Sequence, residues 1–199
     1  QVIGKPLSFN YQTGQYLPDW HPWERVEAYY VSRRETGGAR EIVPFELTWL
    51  ADLFGPPQPL ACVKAKCSDI PADIDDLYHC LLGFPGGLLG SLSVDVLARP
   101  VATREMRILG SEGQLVMSAD EQCVRYCSTT TGSEWVRRPI AAGIVQDGYI
   151  NPEEPYIAEM SDFVRAAAGA QASDFPNTLL DDWRLLDCLE RLEAMACES

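Results

Sequence analysis

The sequence predicts an α+β fold: a mainly antiparallel, mixed open sheet with helices on one face. Two observations carry that prediction. Between residues 61 and 140, short segments alternate apolar and polar residues and are separated by turns that contain glycine or polar residues. Segments with helical apolar spacing lie before and after this region. Strands joined by short turns are antiparallel neighbours, and helices at the two ends of such a sequence pack onto one side of the sheet.

The N-terminal part predicts one strand and two helices. Residues 6–16 alternate apolar and polar side chains, which is the period of a half-buried strand. Residues 25–35 predict a short helix that ends before two glycines. A second helix is predicted to begin at Pro44, because proline suits the first helical turn, and to end before Gly55.

The middle of the sequence predicts a run of short strands. Pro85-Gly86-Gly87 lies between two of them and predicts a hairpin turn. Several of these strands carry apolar residues on both faces, so the face that the helices leave uncovered is expected to form a subunit contact. The predicted strand segments are ACVKAKCSD, LYHCLLGF, LLGSLSVDVLA, TREMRILG, GQLVMSAD, CVRYCSTT and EWVRRPI.

Two helices are predicted at the C-terminal end. Asn151 is the expected N-cap of the first, and Thr178 with Asp181 resembles a capping pair for the second. Each has apolar residues at helical spacing, which predicts one buried face per helix. The residues expected to be buried are Tyr156, Met160, Phe163, Val164 and Ala167 on the first helix and Trp183, Leu186, Leu189, Leu192 and Ala196 on the second.

Composition indicates one domain over residues 1–199 and excludes several classes of protein. The 199 residues are 46% hydrophobic, enough for one core, and the formal net charge of -13 with scattered Lys and Arg argues against nucleic acid. No apolar run approaches the ~20 residues of a membrane helix, and no leader begins the sequence. Seven cysteines without Cys-x-x-Cys pairs predict mostly buried, reduced thiols in strands, and hence a cytoplasmic protein without a metal site.

The segment TGQYLPDWHPWE, residues 13–24, has no helical or strand period and predicts a recognition loop. Aromatic faces stack on sugar rings while carboxylates and imidazoles bind hydroxyl groups. Tyr16, Asp19 and Trp20 are therefore candidate substrate contacts, and His21 is a candidate acid or base because imidazole titrates near pH 6.5. Packing of the tryptophans under the loop or at a subunit contact is the alternative.

The chain resembles the C-terminal half of the glucose-fructose oxidoreductase, inositol dehydrogenase and MocA-like family. The resemblance lies in the order of GQYLPDWHPWE, GGAREIVPFELTWLADLFG, ILGSEGQLVM, YIAEMSDFVRAAAG and a final leucine-rich helix. It implies a two-domain dehydrogenase of sugars or cyclitols that uses NAD or NADP and assembles into a dimer or tetramer. It also implies that an N-terminal Rossmann domain, absent from this chain, binds most of the cofactor, so that this chain alone is inactive.

The sequence departs from this family at its acid/base motif, an Asp followed four residues later by His and three later by Asp. Glu41, Phe45 and Thr48 stand at those positions. Phenylalanine cannot transfer a proton, so Glu41 and His21 are the remaining candidates for catalytic groups. Glu46 is a second possible site-lining carboxylate, although both glutamates could instead only stabilise the start of a helix.

The sequence is compatible with two other hypotheses about the function. A catalytically silent homologue that binds or regulates is favoured by the phenylalanine. A carboxylate-pair glycosidase is disfavoured because no suitable pair can be placed. His79 is expected in the core or at an interface. Arg99 and Arg104 are expected to be solvated residues near a strand end, and contact with a phosphate or carboxylate of a substrate is the alternative.

Overall fold

A computed structural model describes residues 2–141, 143–144, 153–169 and 177–196, which form one open sheet of eight strands and three α-helices. The strand order is β2-β3-β4-β1-β5-β6-β7-β8. Strands β1 and β4 are parallel and every other neighbouring pair is antiparallel, which confirms the predicted mixed, mainly antiparallel sheet. The strands are β1 (Pro6–Gly14), β2 (Gln58–Ala65), β3 (Leu77–Gly83), β4 (Leu89–Asp95), β5 (Thr103–Gly110), β6 (Gly113–Ser118), β7 (Cys123–Ser128) and β8 (Val136–Pro139). The helices are α1 (Ala39–Phe54), α2 (Glu154–Ala167) and α3 (Leu179–Ala194).

The core lies between one face of the sheet and helices α1 and α3. Phe9 of β1 stacks on Phe54 of α1, with ring centres 5.1 Å apart, and Phe84 contacts both rings at the end nearest the β3–β4 turn. Because these rings are large and buried together, this cluster fixes where α1 lies on the sheet. Other fully buried side chains are Tyr11, Leu47, Leu50, Tyr78, Leu82, Leu92, Leu189 and Leu192.

The opposite face of β2, β3 and β4 is open. Val63, Leu81 and Leu89 are about half exposed there, and His79 is exposed beside them rather than in the core of the chain. The uncovered face therefore exists as predicted, and it is apolar.

None of the helices within the described ranges is long and apolar enough to cross a bilayer.

Helix α1 begins at Ala39, more than one turn before the predicted start at Pro44. Gly38, in a left-handed conformation (φ 66°), precedes the first helical residue, and Ala39 and Val43 are fully buried against the core. That burial extends the helix past the proline, which lies inside it and cannot donate a hydrogen bond to the carbonyl of Arg40. Packing therefore overrides the local preference of proline for the first turn.

Residues 25–35 do not form the predicted α-helix. They form two 3-10 turns, Val26–Ala28 and Tyr30–Ser32, separated by Tyr29 in an extended conformation. The extended backbone directs Tyr29 into a stack with His21, with ring centres 4.6 Å apart. A tertiary ring contact thus replaces a continuous helix in this segment.

The C-terminal helices confirm one prediction and correct another. Thr178 and Asp181 form the predicted reciprocal capping box at the start of α3. The apolar stripe of α2 is not buried, because its side chains contact no buried cluster within the described part of the chain and are exposed. The exposed residues of that stripe are Tyr156, Met160, Phe163, Val164 and Ala167. The predicted cap Asn151 lies outside the described residues.

The buried face of α3 is rotated relative to the prediction. Trp183 and Leu186 are exposed, whereas Leu189 and Leu192 are buried as expected. The face that contacts β2 and α1 is completed by Leu185 and Cys188, because their positions, and not those of Trp183 and Leu186, point at the sheet. The largest apolar side chains of α3 therefore do not mark its buried face.

The described cysteines are free thiols, as predicted, with one difference in position. Cys62 and Cys80 face each other across β2 and β3 with their sulfurs 4.0 Å apart, and both are buried. Cys67 is exposed and follows the end of β2, so it does not belong to a strand.

Candidate functional site

A cavity of about 410 Å³ opens where the parallel strands β1 and β4 end, beside helix α1. Gly14 and Asp95 are the last paired residues of these two strands, and β5 begins next to them. The cavity thus collects side chains from distant parts of the chain. It is lined by Thr13, Gly14, Gln15, Trp20, Ile42, Phe45, Glu46, Asp95 and Arg104.

Glu46 is the centre of a hydrogen-bond network on the inner wall of the cavity. It is only 4% exposed, and its Oε2 accepts hydrogen bonds from Tyr11 Oη (2.6 Å), Trp49 Nε1 (2.6 Å) and Arg104 Nη2 (2.9 Å). Arg104 Nε also donates to Tyr11 Oη at 2.9 Å. Burial, followed by the charge of Glu46, raises the pKa of Tyr11 well above its usual range. The buried carboxylate is therefore paired and saturated with donors.

The sequence predicts a smaller role for two residues of this network. Glu46 is predicted only as a second possible site-lining carboxylate, and Arg104 is expected to be a solvated residue near a strand end. The structure places both in the cavity lining and corrects the expectation for Arg104. Arg104 is about half exposed, and its Nη1 has no hydrogen bond within the described ranges, so this group can donate into the cavity. The signal that could have found the network is the alternation of β5, which places Arg104 on the same face as the buried Met106.

Asp95 forms the floor of the cavity and was not a predicted site residue. It is 8% exposed, and its Oδ1 accepts hydrogen bonds from the backbone N–H groups of Leu97 and Ala98, both at 2.9 Å. A methyl group placed on Gly14 would lie 2.4 Å from Oδ1 and 2.5 Å from Oδ2. Only glycine leaves room for this carboxylate beside β1.

The apolar wall of the cavity is formed by Trp20, Ile42 and Phe45. Of the four loop candidates Tyr16, Asp19, Trp20 and His21, Trp20 is the one that lines the cavity, and its indole nitrogen is buried without a partner among the described residues. Phe45, at the position of the histidine in the resemblance, lines the cavity and is 65% exposed. The site thus combines flat apolar surfaces with a charged inner wall.

His21 lies in the loop beside this cavity and does not line it. Its ring is stacked between Trp23 and Tyr29, with ring centres 5.1 and 4.6 Å away, and its Nδ1 is 2.6 Å from Oε1 of Glu24. The carboxylate on Nδ1 orients the imidazole, and Nε2 receives no hydrogen bond from the part of the chain that the structure describes. Asp19 is exposed on the same loop, away from the cavity lining.

Tyr16 and Glu41 have separate partners, and neither lines the cavity. The Arg99 guanidinium stacks over the Tyr16 ring, 4.6 Å from its centre, and Nη1 donates to Tyr16 Oη at 3.1 Å. Glu41 accepts a hydrogen bond from Tyr30 Oη at 2.7 Å, and burial together with this carboxylate raises the pKa of Tyr30 to about 12. The second carboxylate oxygen of Glu41 is buried and has no partner within the described ranges.

No cluster of three or more His, Cys, Asp or Glu side chains in the described part of the chain has a geometry that could hold a metal ion.

Comparison with known proteins shows which family shares this arrangement. The family model for the GFO/IDH/MocA C-terminal domain matches residues 1–116, which include β1, α1, β5 and all residues that line the cavity. The chain belongs to the GFO/IDH/MocA family. This match confirms the resemblance found in the sequence. No curated protein matches the chain.

Solved structures share the fold of this GFO/IDH/MocA domain at low sequence identity. An oxidoreductase from Agrobacterium radiobacter in complex with NAD+, L-tartaric acid and magnesium has a TM-score of 0.73 and 14% identity, covering 98% of this chain and 55% of that one. Levoglucosan dehydrogenase in complex with NADH and L-sorbose gives 0.66 and 18%, covering 96% and 58%. UDP-N-acetylglucosamine 3-dehydrogenase from Acidithiobacillus ferrooxidans gives 0.67 and 13%, covering 98% and 54%. The chain therefore spans little more than half the length of these proteins.

Proposed function

We propose that this chain is the substrate-binding domain of an NAD(P)-dependent oxidoreductase that acts on a sugar-like or cyclitol-like polyol. The observation that carries the proposal is the cavity at the ends of β1 and β4. Its apolar wall of Trp20 and Phe45 suits the C–H face of a sugar ring, and its inner wall offers the Arg104 guanidinium and carboxylates to hydroxyl groups. The dehydrogenases of similar fold, crystallised with nicotinamide cofactors, support the same class.

The cofactor itself does not fit the residues of this chain. The cavity is at the small end of the usual volume range, and its one guanidinium is already paired with the carboxylate of Glu46. A pyrophosphate would meet the carboxylates of Glu46 and Asp95 there. We therefore assign NAD or NADP to an N-terminal Rossmann domain, and to this chain only the binding and orientation of the polyol.

The role of His21 and Glu41 as catalytic groups stays a proposal. Phe45 cannot accept a proton. The neighbouring loop holds an imidazole that Glu24 orients and whose Nε2 has no hydrogen bond to any described residue. Tyr16 and Asp19 would contact the polyol from the same loop. A catalytically silent binding protein is the second candidate, favoured by the phenylalanine at position 45.

Turnover separates these two candidates. The full-length protein, incubated with NAD+ or NADP+ and a panel of sugars and cyclitols, is expected to form reduced nicotinamide, measured by its absorbance. His21→Ala is expected to lower the rate about 100-fold, as for the loss of an acid/base group. Polyol binding by calorimetry without any reduction of the cofactor would instead identify the silent binding protein. An unchanged rate in the variant would remove His21 from the mechanism.

Replacing Trp20 with alanine is expected to weaken polyol binding by about 3- to 10-fold, because one stacking surface of the cavity is lost. Isothermal titration of the full-length protein measures this change. Trp135→Ala is the matched control, since Trp135 stacks on Arg125 just before β8 and does not line the cavity. Equal losses in both variants would show that Trp20 acts on the fold and not on the ligand.

The remaining expectations concern assembly and compartment. We propose that the open apolar face of β2, β3 and β4, with Val63, Leu81 and Leu89, is the contact of a homo-oligomer. The buried free thiols support the proposal of a reducing cytoplasm. Contacts with nucleic acid or a membrane are not expected.

A further inference from the structure

We propose that Asp95 accepts a hydrogen bond from a substrate hydroxyl and that the carboxylates of this cavity select uncharged polyols over acid sugars. This inference rests on the proposed function and names the group that reads its substrate. Asp95 lies at the end of β4, outside the loop and the helix start where the sequence placed the site.

The two oxygens of the Asp95 carboxylate have different surroundings. Oδ1 is held by the N–H groups of Leu97 and Ala98, whereas Oδ2 has no hydrogen bond from any described residue, although Asp95 as a whole is only 8% exposed. Oδ2 is not enclosed by protein, since the carboxylate lines the cavity. Because Oδ2 has no donor from the described residues and reaches the cavity, a group bound in the cavity can supply its hydrogen bond.

A hydroxyl group is the ligand chemistry that matches the lining. Arg104 Nη1 has no hydrogen bond to any residue that the structure describes and is the remaining donor, while Nε and Nη2 are held by Tyr11 and Glu46. Hydroxyl groups both donate and accept, so a polyol can donate to Asp95 Oδ2 and accept from Arg104 Nη1. The rings of Trp20 and Phe45 then cover the apolar face of the same molecule.

The balance of charge in the cavity disfavours a negatively charged substrate. Its lining carries two carboxylates, Glu46 and Asp95, and one guanidinium, Arg104. Glu46 already neutralises that guanidinium through two contacts of 2.9 and 3.0 Å. A substrate carboxylate or phosphate would therefore meet uncompensated negative charge from Asp95, which is unfavourable in a partly desolvated site. An uncharged polyol meets no such repulsion.

The variant Asp95→Asn tests this assignment with little change to the fold. The amide keeps one oxygen for the N–H groups of Leu97 and Ala98 and turns the cavity-facing atom from an acceptor into a donor. In the full-length protein, kcat/KM for D-glucose and myo-inositol is expected to fall about 10- to 100-fold, mainly through KM, while thermal unfolding stays close to that of the wild type. The preference for D-glucose over D-gluconate is expected to shrink, because the repelling charge is gone. Asp52→Asn, on the exposed surface of α1 and away from the cavity lining, is the control.

The outcomes distinguish this inference from the proposed function. If the wild type neither binds nor oxidises any polyol, the proposed function fails, and the assignment of Asp95 fails with it. If the wild type uses polyols and Asp95→Asn alters neither KM nor the glucose-to-gluconate ratio, only the assignment fails. A wild type that prefers D-gluconate to D-glucose overturns the charge argument even if the variant does not fold. Loss of polyol binding with an unchanged melting temperature supports the assignment.

Discussion

Replacing Glu46 with glutamine is expected to lower the free energy of unfolding by about 2–4 kcal/mol. The carboxylate is buried and accepts hydrogen bonds from Tyr11, Trp49 and Arg104. A neutral amide cannot accept all of these bonds, and it leaves the guanidinium without its counter-charge. Urea denaturation of the wild type and the variant measures the difference.

A control variant and a double variant test whether the loss of stability in Glu46→Gln comes from this network. Glu159→Gln changes an exposed glutamate on α2 and is expected to alter stability by less than about 0.5 kcal/mol. Arg104→Met is expected to lower the free energy of unfolding as well. The loss should be smaller than for an ion pair in which both partners are buried, because Arg104 is half exposed. Since both variants break one network, the double variant should lose less than the sum of the single losses. A change below about 1 kcal/mol for Glu46→Gln would contradict the assigned role of the network.

Replacing Gly90 with alanine is expected to destabilise the protein by about 3 kcal/mol. A methyl group at this position of β4 would lie 2.1 Å from the ring of Phe9, which is opposite it on the parallel strand. The ring cannot move aside easily, because it is packed against Phe54 and Phe84. Thermal and urea unfolding measure the loss.

A second glycine provides the matched comparison. Gly83, on the neighbouring strand β3, would place its methyl group no closer than 3.6 Å to any side chain, so Gly83→Ala is expected to be nearly neutral. Introducing Phe9→Leu should relieve part of the Gly90→Ala loss, since the ring that clashes is gone. Equal effects of the two glycine replacements would show that strand propensity, and not the ring, sets the cost.

The sheet was largely predictable because most of its strands have a clear local sequence pattern. Alternation and the Pro85-Gly86-Gly87 turn define β3 and β4, and short turns define β5 to β8. The place of β1 was not predictable, since its parallel pairing with β4 and its antiparallel pairing with β5 join residues that are far apart in sequence. Pattern within a segment carries no information on such partners.

The site was only partly predictable for the same reason. Trp20 could be chosen from the density of aromatic residues in one loop. Glu46, Asp95 and Arg104 come from α1, β4 and β5, and they meet only because β1 lies between the last two. Each of them has an ordinary local setting in the sequence. The buried face of α3 is not predictable from the sequence, because the size of its apolar side chains does not indicate which face of the helix packs against the sheet.

The position of β1 between β4 and β5 also has a consequence for biosynthesis. Its register pairs Ser8 with Leu89 and Phe9 with Ile108, so the segment leaves the ribosome long before either neighbour exists. Until then both of its edges lack partners, and Phe9 and Tyr11 have no core to enter. Completion of the sheet is thus a late, long-range step that cannot occur before β5 has been synthesised.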